Sequence, residues 1–197
     1  TEENKQETET AEEKDYEMLD DISRDKVKIK QFYQDQSLGM QELPAVMEIG
    51  DFAFARSSLQ GILLPDGLQK IGYGAFYHCD NLTDVEIPSS VTVVEAEAFS
   101  KTPYLENWLA GAGDDYLIVG DGILLAYRGN KSSISIPEGV KKIASGVFSG
   151  NTELIWVNFP ASLTEIGEAA FSGCTFLEKL TGGDNKGSKT EHFLGVR

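Results

Sequence analysis

The sequence predicts a β-rich solenoid, a right-handed superhelix of short parallel strands, turns and short helices in about six coils of roughly 23 residues. Two observations predict this fold. An apolar-Pro step, such as Leu64-Pro65, stands eleven residues before four regularly placed phenylalanines and ten residues before a fifth. The phenylalanines keep one register along the chain, with spacings of 22, 23, 49 and 23: Phe54, Phe76, Phe99, Phe148 and Phe171.

The apolar positions of one unit predict its elements in order. The alternation in Leu82-Thr-Asp-Val-Glu-Ile87 indicates a strand with one buried face. Pro88 ends this strand because proline cannot donate to a ladder. Val91 to Val94 is expected to return along the opposite side, and Ala98 and Phe99 are expected to fill the corner. One unit cannot bury these residues alone, so neighbours stack, and the period is that of leucine-rich repeats.

One coil, at about 104–131, departs from the repeat. Glu106-Asn-Trp-Leu109 stands where a strand is expected and predicts a short helical turn. Two apolar stretches flank Gly120-Asp121-Gly122, which suits a three-residue hairpin turn. The predicted hairpin therefore pairs Tyr116 to Val119 with Ile123 to Tyr127. Two interpretations stay open: an irregular coil that keeps the solenoid continuous, or a protrusion that contacts a ligand.

Both ends are predicted to differ from the array, which spans residues 43–180. Residues 1–25 carry eleven acidic and three basic side chains, which indicates a solvated acidic leader or linker. Residues 26–42 are interpreted as an N-terminal cap, because Lys26-Val-Lys-Ile-Lys30 predicts a strand with one charged face. Residues 181–197 have the composition of a tail or the start of a linker.

The net charge of −15 narrows the choice of partners. Nucleic-acid binders need a footprint of lysine and arginine, so no nucleic-acid partner is expected. Adsorption to an anionic membrane needs the same positive charge. A membrane is therefore expected as a partner only through a lipid anchor upstream of Thr1.

Three segments resemble the BspA-like leucine-rich-repeat family, whose typical unit reads LTSVTIPSSVTSIGDYAFSGC. They are Ile71-Gly-Tyr-Gly-Ala-Phe-Tyr-His-Cys79, Val85-Glu-Ile-Pro-Ser-Ser-Val91 and Ile166-Gly-Glu-Ala-Ala-Phe-Ser-Gly-Cys174. The resemblance covers about residues 38–180. It implies a surface or secreted protein of host-associated bacteria that takes part in adhesion and binds host matrix proteins such as fibronectin or fibrinogen. The family pattern contains no catalytic residues.

The two cysteines stand at one repeat position, three residues after a phenylalanine. Asn151 occupies the same position after Phe148, which indicates a buried corner that serves packing or backbone hydrogen bonding. Cys79 and Cys174 are about four coils apart, roughly 19 Å at the strand spacing. A disulfide needs Cα atoms within about 7 Å, so none is expected. His78, beside Cys79, is expected at the surface.

No motif predicts a catalytic, cofactor-binding or metal-binding residue. Asp114-Asp115 falls well short of the six to eight oxygen ligands that calcium takes. The chain is therefore expected not to be an enzyme and to need no cofactor. A hydrolase that uses surface carboxylates is the weakest alternative.

The remaining use of a solenoid is binding through its repeated outer strand face. Alternation places the outward residues in one row, which is the candidate contact face: Gly61, Leu63, Asp84, Glu86, Ser133, Ser135, Trp156, Asn158 and Lys179. An exposed tryptophan is a favoured hot-spot residue, so Trp156 is the leading member, although packing against the tail or a neighbouring coil is equally open. Trp108 aligns with Val85 and is expected in the core. The expected partner is an extracellular protein or glycan, and the alternative function is a structural spacer.

Overall fold

The computed structural model describes residues 28–29, 40–43, 45–113 and 115–183. The predicted acidic leader (1–25) and the chain after residue 183 lie outside the described residues. The described chain is a β-solenoid of about six turns with little helix. Its strands and helix are β1 Lys28–Ile29, β2 Met40–Glu42, β3 Glu48–Ile49, β4 Gly61–Leu63, β5 Lys70–Ile71, β6 Asp84–Glu86, β7 Val93–Val94, α1 Pro103–Leu109, β8 Asp115–Val119, β9 Ile123–Arg128, β10 Ser133–Ser135, β11 Lys142–Ile143, β12 Trp156–Phe159, β13 Glu165–Ile166 and β14 Lys179–Gly182.

Each regular coil contributes one strand to each of two sides of the solenoid. One side has the sheet β1-β3-β5-β7 and then β8, β9, β11 and β13, while the other has β2-β4-β6 and then β10-β12-β14. Neighbouring coils pair in parallel, so that Ile62 lies beside Val85 and Ile134 beside Val157. In β6 and β10 a buried residue stands between two exposed ones. The predicted repeat fold and its strand alternation are confirmed.

The first two strands lie within the segment 26–42, which the sequence assigns to an N-terminal cap. β1 pairs in parallel with β3, and β2 pairs in parallel with β4. The strand ladders of the array therefore continue into this segment.

The prolines close a turn between the two sides of each coil. In four coils the proline carbonyl accepts a hydrogen bond, at 3.0 to 3.3 Å, from the N–H three residues later. The pairs are Leu68 to Pro65, Val91 to Pro88, Val140 to Pro137 and Leu163 to Pro160. The strand ends at or before the proline, as expected of a residue without an N–H.

The repeated phenylalanines form two stacks inside the corner of the solenoid. The rings of Phe54, Phe76 and Phe99 lie 5.1 and 5.2 Å apart and are within 7° of parallel. Phe148 and Phe171 stack at 4.9 Å. All five rings are at most 2% exposed, and each such pair adds about 0.5–1.5 kcal/mol beyond burial of its area. The predicted column is confirmed within each half of the array.

Tyrosines fill the interval between the two stacks. Tyr104 packs beside Phe99 with ring centroids 5.4 Å apart, and Tyr127 packs beside Phe148 at 5.3 Å. Both contacts are tilted rather than stacked, at 54° and 43°. Each phenylalanine stack is therefore extended by one tyrosine towards the irregular coil, which has no phenylalanine of its own.

Each corner contains two residues in the left-handed backbone region, one two positions before the phenylalanine and one two positions after it. Before the phenylalanine, φ is between 55° and 72° in five coils: Phe52, Gly74, Glu97, Gly146 and Ala169. After it, φ is between 56° and 73°: Arg56, His78, Lys101, Gly150 and Gly173. Side chains other than glycine are strained there, because the Cβ atom approaches the following carbonyl oxygen.

Helix α1 replaces a strand in the irregular coil because Thr102 and Pro103 start a helix there. The Thr102 hydroxyl accepts a hydrogen bond from the Leu105 N–H at 3.3 Å, and proline is well suited to the first helical turn. No residue of α1 is fully buried. The prediction that Trp108 lies in the core is therefore wrong. Trp108 is half-buried, with the Arg128 guanidinium 4.6 Å from its ring centroid.

Strands β8 and β9 form the predicted antiparallel hairpin across Gly120-Asp121-Gly122. β9 also pairs in parallel with β11, with Leu124 beside Ile143. On the other side the Asp121 N–H donates to the Val91 carbonyl at 2.8 Å. These bonds join the irregular coil to both of its neighbours, which supports the interpretation that it keeps the solenoid continuous. Within the part of the chain that the structure describes, no helix has the length and apolar composition of a membrane span.

Candidate functional site

The predicted contact face is divided between two three-stranded sheets. Strand β6 ends the first sheet at Glu86, and β10 begins the second at Ser133. Helix α1 occupies the part of the chain in which the intervening strand was expected. The row is therefore interrupted at the helical turn that the sequence predicts over Glu106 to Leu109, and the helix begins at Pro103, three residues earlier than predicted.

The outer face of the first sheet is mostly polar. Asp84 and Glu86 are exposed on β6, and Leu63 is 41% exposed on β4. Gly61 is buried, contrary to the prediction, because it lies between two paired strands and has no side chain to project. This sheet offers two carboxylates beside one aliphatic side chain.

The outer face of the second sheet is built around Trp156. The register places Trp156 between Ser133 and Lys179, and Asn158 between Ser135 and Thr181. Both serines are exposed, whereas Trp156 and Asn158 are half-buried. The tryptophan ring is therefore not enclosed within the array.

Polar contacts hold the Trp156 ring in place. The indole Nε1 donates to the Thr181 hydroxyl at 2.8 Å, and that hydroxyl donates to the Asn158 amide oxygen at 2.9 Å. The Lys179 ammonium lies 6.0 Å from the ring centroid, within the range of a cation–π contact. The ring is thus fixed by groups of its own coil and the next, while part of its surface stays accessible.

Two exposed apolar residues of the same coils were missed from the sequence. Ile155 is 42% exposed and Phe176 is 63% exposed. Ile155 immediately precedes Trp156, and its carbonyl accepts from the N–H groups of Glu178 and Lys179. Both side chains precede strands, where the period-two alternation had not yet begun, so no pattern identified them.

The corner position three residues after the phenylalanine is buried, as predicted. The Cys79 thiol donates to the Phe54 carbonyl at 2.9 Å, and the Cys174 thiol donates to the Phe148 carbonyl at 3.0 Å. Asn151 takes the alternative role, since its amide oxygen accepts from two backbone N–H groups, at 2.9 and 3.2 Å.

The two thiols are poorly suited to nucleophilic chemistry. Burial raises the pKa of Cys79 and of Cys174 above the ordinary value, so both are protonated at neutral pH. Each already donates its proton to a carbonyl of the preceding coil. Their contribution is to the packing of the corner.

The remaining titratable side chains of the described residues form no metal site. Among the described residues, no three histidine, cysteine, aspartate or glutamate side chains are placed to hold an ion. Asp114 lies outside the described residues, and Asp115 is 3.2 Å from the Arg128 guanidinium. His78 is partly exposed, with Nδ1 3.2 Å from the Asp80 carboxylate.

Comparison with known proteins gives a repeat family and several bacterial structures. The model of the BspA type leucine rich repeat region matches residues 25–111 and 125–192, in six copies. The leucine rich repeat protein of T. pallidum is 26% identical over 72% of this chain and 57% of its own, with a TM-score of 0.38. A leucine-rich repeat protein from Bacteroides ovatus is 26% identical over 73% of this chain and 37% of its own, with a TM-score of 0.42.

A leucine rich cell surface protein from Faecalibacterium prausnitzii is 22% identical over 70% of this chain and 52% of its own, with a TM-score of 0.37. The chain therefore spans between 37% and 57% of the length of these three proteins. No curated protein matches it.

Proposed function

Because the chain belongs to the BspA-type leucine-rich-repeat family, we propose that it is a non-catalytic binding module of a bacterial cell-surface or secreted protein. Its ligand is an extracellular protein or glycan, and its contact face is the outer surface of β10, β12 and β14. The location rests on the family. The contact face rests on the arrangement of side chains around Trp156.

The observation that carries the proposal is the fixed and accessible ring of Trp156. Tryptophan is among the residues that dominate binding energy at interfaces. A ring already held by Thr181 and Lys179 loses little conformational freedom on binding. Ser133, Ser135 and Asn158 surround it with groups that form hydrogen bonds, which suits the polar rim of a protein interface as well as a glycan.

A structural spacer within a larger surface protein is the second candidate function. The outer face of the first sheet favours it, because β6 presents only Asp84 and Glu86 to solvent. A spacer is expected to be evenly polar, whereas a binder has an apolar patch. The two sheets thus favour different functions, and the accessible Trp156 favours binding at the second.

A paired substitution tests the contact face. Fibronectin, fibrinogen and an immobilised glycan array serve as probes for the unaltered chain, and any positive probe is then titrated against Trp156→Ala. We expect about thirtyfold weaker binding, the effect of losing a hot-spot side chain. The control is Trp108→Ala, which removes the other half-buried tryptophan from α1 and is expected to leave affinity within about twofold.

Circular dichroism of both variants verifies that the fold is retained. Unchanged affinity in Trp156→Ala would refute the contact face. If no probe binds the folded chain, the result favours the spacer.

A further inference from the structure

Backbone hydrogen bonds join neighbouring corners in the regular part of the array. The N–H groups of the phenylalanine and of the residues two before and two after it donate to alternate carbonyls of the next corner. In the first pair of corners the bonds are each 2.8 Å long: Phe52 to Tyr73, Phe54 to Ala75 and Arg56 to Tyr77. The same three bonds recur between the corners of Phe76 and Phe99, and between those of Phe148 and Phe171.

The irregular coil has no corner, because its chain is too short to form one. In a regular coil, thirteen positions separate Ile143 from Trp156. Their register partners in the irregular coil are Leu124 and Ser133, which are only nine positions apart. The four missing residues remove the turn that would carry a phenylalanine.

A cleft of about 510 Å³ lies where this corner is missing. The corner of Phe99, residues 95–100, lines one side, and residues 144–147 with Ser149 line the other. The two corners that line the cleft belong to coils two steps apart, so at the usual distance between coils they are separated by about 10 Å. The gap therefore has the width of one polypeptide segment.

The two sides of the cleft present complementary backbone groups. The N–H groups of Glu97 and Phe99, and of Lys101 next to them, donate to no described residue. Opposite them, the carbonyls of three residues accept from no described residue: Ser145, Val147 and Ser149. In every regular pair of corners these groups are bonded, so the cleft has one set of donors and one set of acceptors without a partner in the described part of the chain.

Aliphatic side chains line the rest of the cleft. Leu105 and Leu109 come from α1, and Leu109 is 43% exposed; Leu125 and Ala126 come from β9. A ligand that fills the cleft would cover these side chains while it bonds to the backbone on both sides.

We propose that the cleft binds a short, turn-forming segment of a partner polypeptide, which takes the place of the missing corner. A polypeptide offers N–H and C=O groups in alternation on its two sides, and its addition to an open ladder is an established mode of recognition. The segment carries one apolar side chain, which packs on the aliphatic lining. Small residues flank it, because the corner geometry requires the left-handed region two positions to either side. The site is separate from the Trp156 face and does not depend on it.

The occupant is a partner rather than the chain's own end. The family match continues to residue 192, so most of the sequence after β14 still matches the repeat. A second copy, or the chain's own residues 184–197, would protect the amides of Glu97 and Phe99 from hydrogen exchange in the absence of any ligand. Such protection would overturn the proposal.

The test uses a peptide with the sequence of residues 144–150, acetylated and amidated, which carries glycine at both left-handed positions. It is titrated into the isotope-labelled full chain and followed by NMR. We expect saturable shifts of the amides of Glu97, Phe99 and Lys101. A peptide methylated at the three amide nitrogens that would face Ser145, Val147 and Ser149 is expected to bind at least tenfold more weakly. Equal binding of both peptides, or shifts elsewhere, would overturn the proposal.

Two substitutions at equivalent positions add a test on the protein. Ser149 lines the cleft, and Ser172 occupies the same repeat position in the next coil; both are exposed. Ser149→Trp is expected to weaken peptide binding at least tenfold, and Ser172→Trp to leave it within twofold. Equal effects would contradict the placement. Trp156→Ala is expected to leave peptide binding unchanged, so the cleft and the proposed contact face can fail independently.

Discussion

Replacing Ala169 with glycine is expected to stabilise the solenoid, and replacing Gly146 with alanine is expected to destabilise it by a similar amount. The two residues occupy the same position, two before the phenylalanine, in adjacent coils. Both have left-handed backbones, with φ of 55° and 72°. The exchange therefore adds or removes one methyl group in a nearly identical conformation.

The magnitude follows from two opposing contributions. Holding a residue other than glycine in the left-handed region costs about 1–2 kcal/mol. Glycine, in turn, raises the conformational entropy of the unfolded chain, which favours unfolding by about 0.4–1 kcal/mol. The net effect is roughly 0.8 kcal/mol in favour of glycine. Packing adds little, because Ala169 is exposed and no atom lies within 4 Å of a Cβ placed on Gly146.

Urea denaturation, followed by tryptophan fluorescence, measures the free energy of unfolding. A change of this size corresponds to a shift of about 2–3 °C in Tm. The control is Ala161→Gly, at an exposed turn residue outside the left-handed region, which is expected to destabilise by about 0.4–1 kcal/mol. If Ala169→Gly destabilises as much as this control, the reasoning from backbone strain is refuted.

Three further outcomes follow from the corner. Phe76→Ala is expected to cost about 3–5 kcal/mol of stability in the same assay, since this ring is stacked on both faces and fully buried. The free energy of unfolding is expected to fall as pH rises above about 9, the ordinary thiol pKa. Burial raises the pKa of Cys79 in the folded chain, so the unfolded chain loses its thiol proton first. Cys79→Ala is expected to reduce this dependence of stability on pH. In hydrogen exchange, the amides of Gly74 and Phe76, which are bonded to the next corner, are expected to be protected more strongly than those of Glu97 and Phe99.

The parts of the fold that repeat could be predicted from the sequence. The phenylalanine column, the proline turns and the buried corner at Cys79 recur in register, so each copy supports the others. The hairpin was also predictable, because Gly120-Asp121-Gly122 between two apolar stretches is a local signal. None of these predictions required knowledge of contacts distant in the sequence.

Errors arose where local chemistry replaced the repeat. The alignment of Trp108 with Val85 extended the strand phase beyond Phe99, but Thr102 and Pro103 start a helix at that point. Cys79 and Thr102 occupy the same repeat position in successive coils. Cys79 is buried in its corner, whereas Thr102 caps a helix. The same helix divides the predicted contact face into two parts.

The sequence marks the left-handed positions with glycine in some coils but not in others. Glycine occupies them at Gly74, Gly146, Gly150 and Gly173. In the other coils, phenylalanine, glutamate and alanine occupy the position two residues before the repeat phenylalanine, so glycine does not mark that position in every coil. The missing corner was hidden for a different reason, because the shortened interval can be measured only after β9 is paired with β11.

The irregular coil is both the main departure from the repeat and the location of the proposed peptide-binding cleft. In a repeat protein each coil contacts only its neighbours, so a missing set of bonds weakens one interface and leaves the others intact. The buried core divides at the same place, since Ile123 belongs to the N-terminal cluster and Leu124 to the C-terminal one. A segment bound in the cleft would restore the absent bonds to both halves at once. The same four-residue shortening thus opens a binding site and locates the interface that its ligand would reinforce.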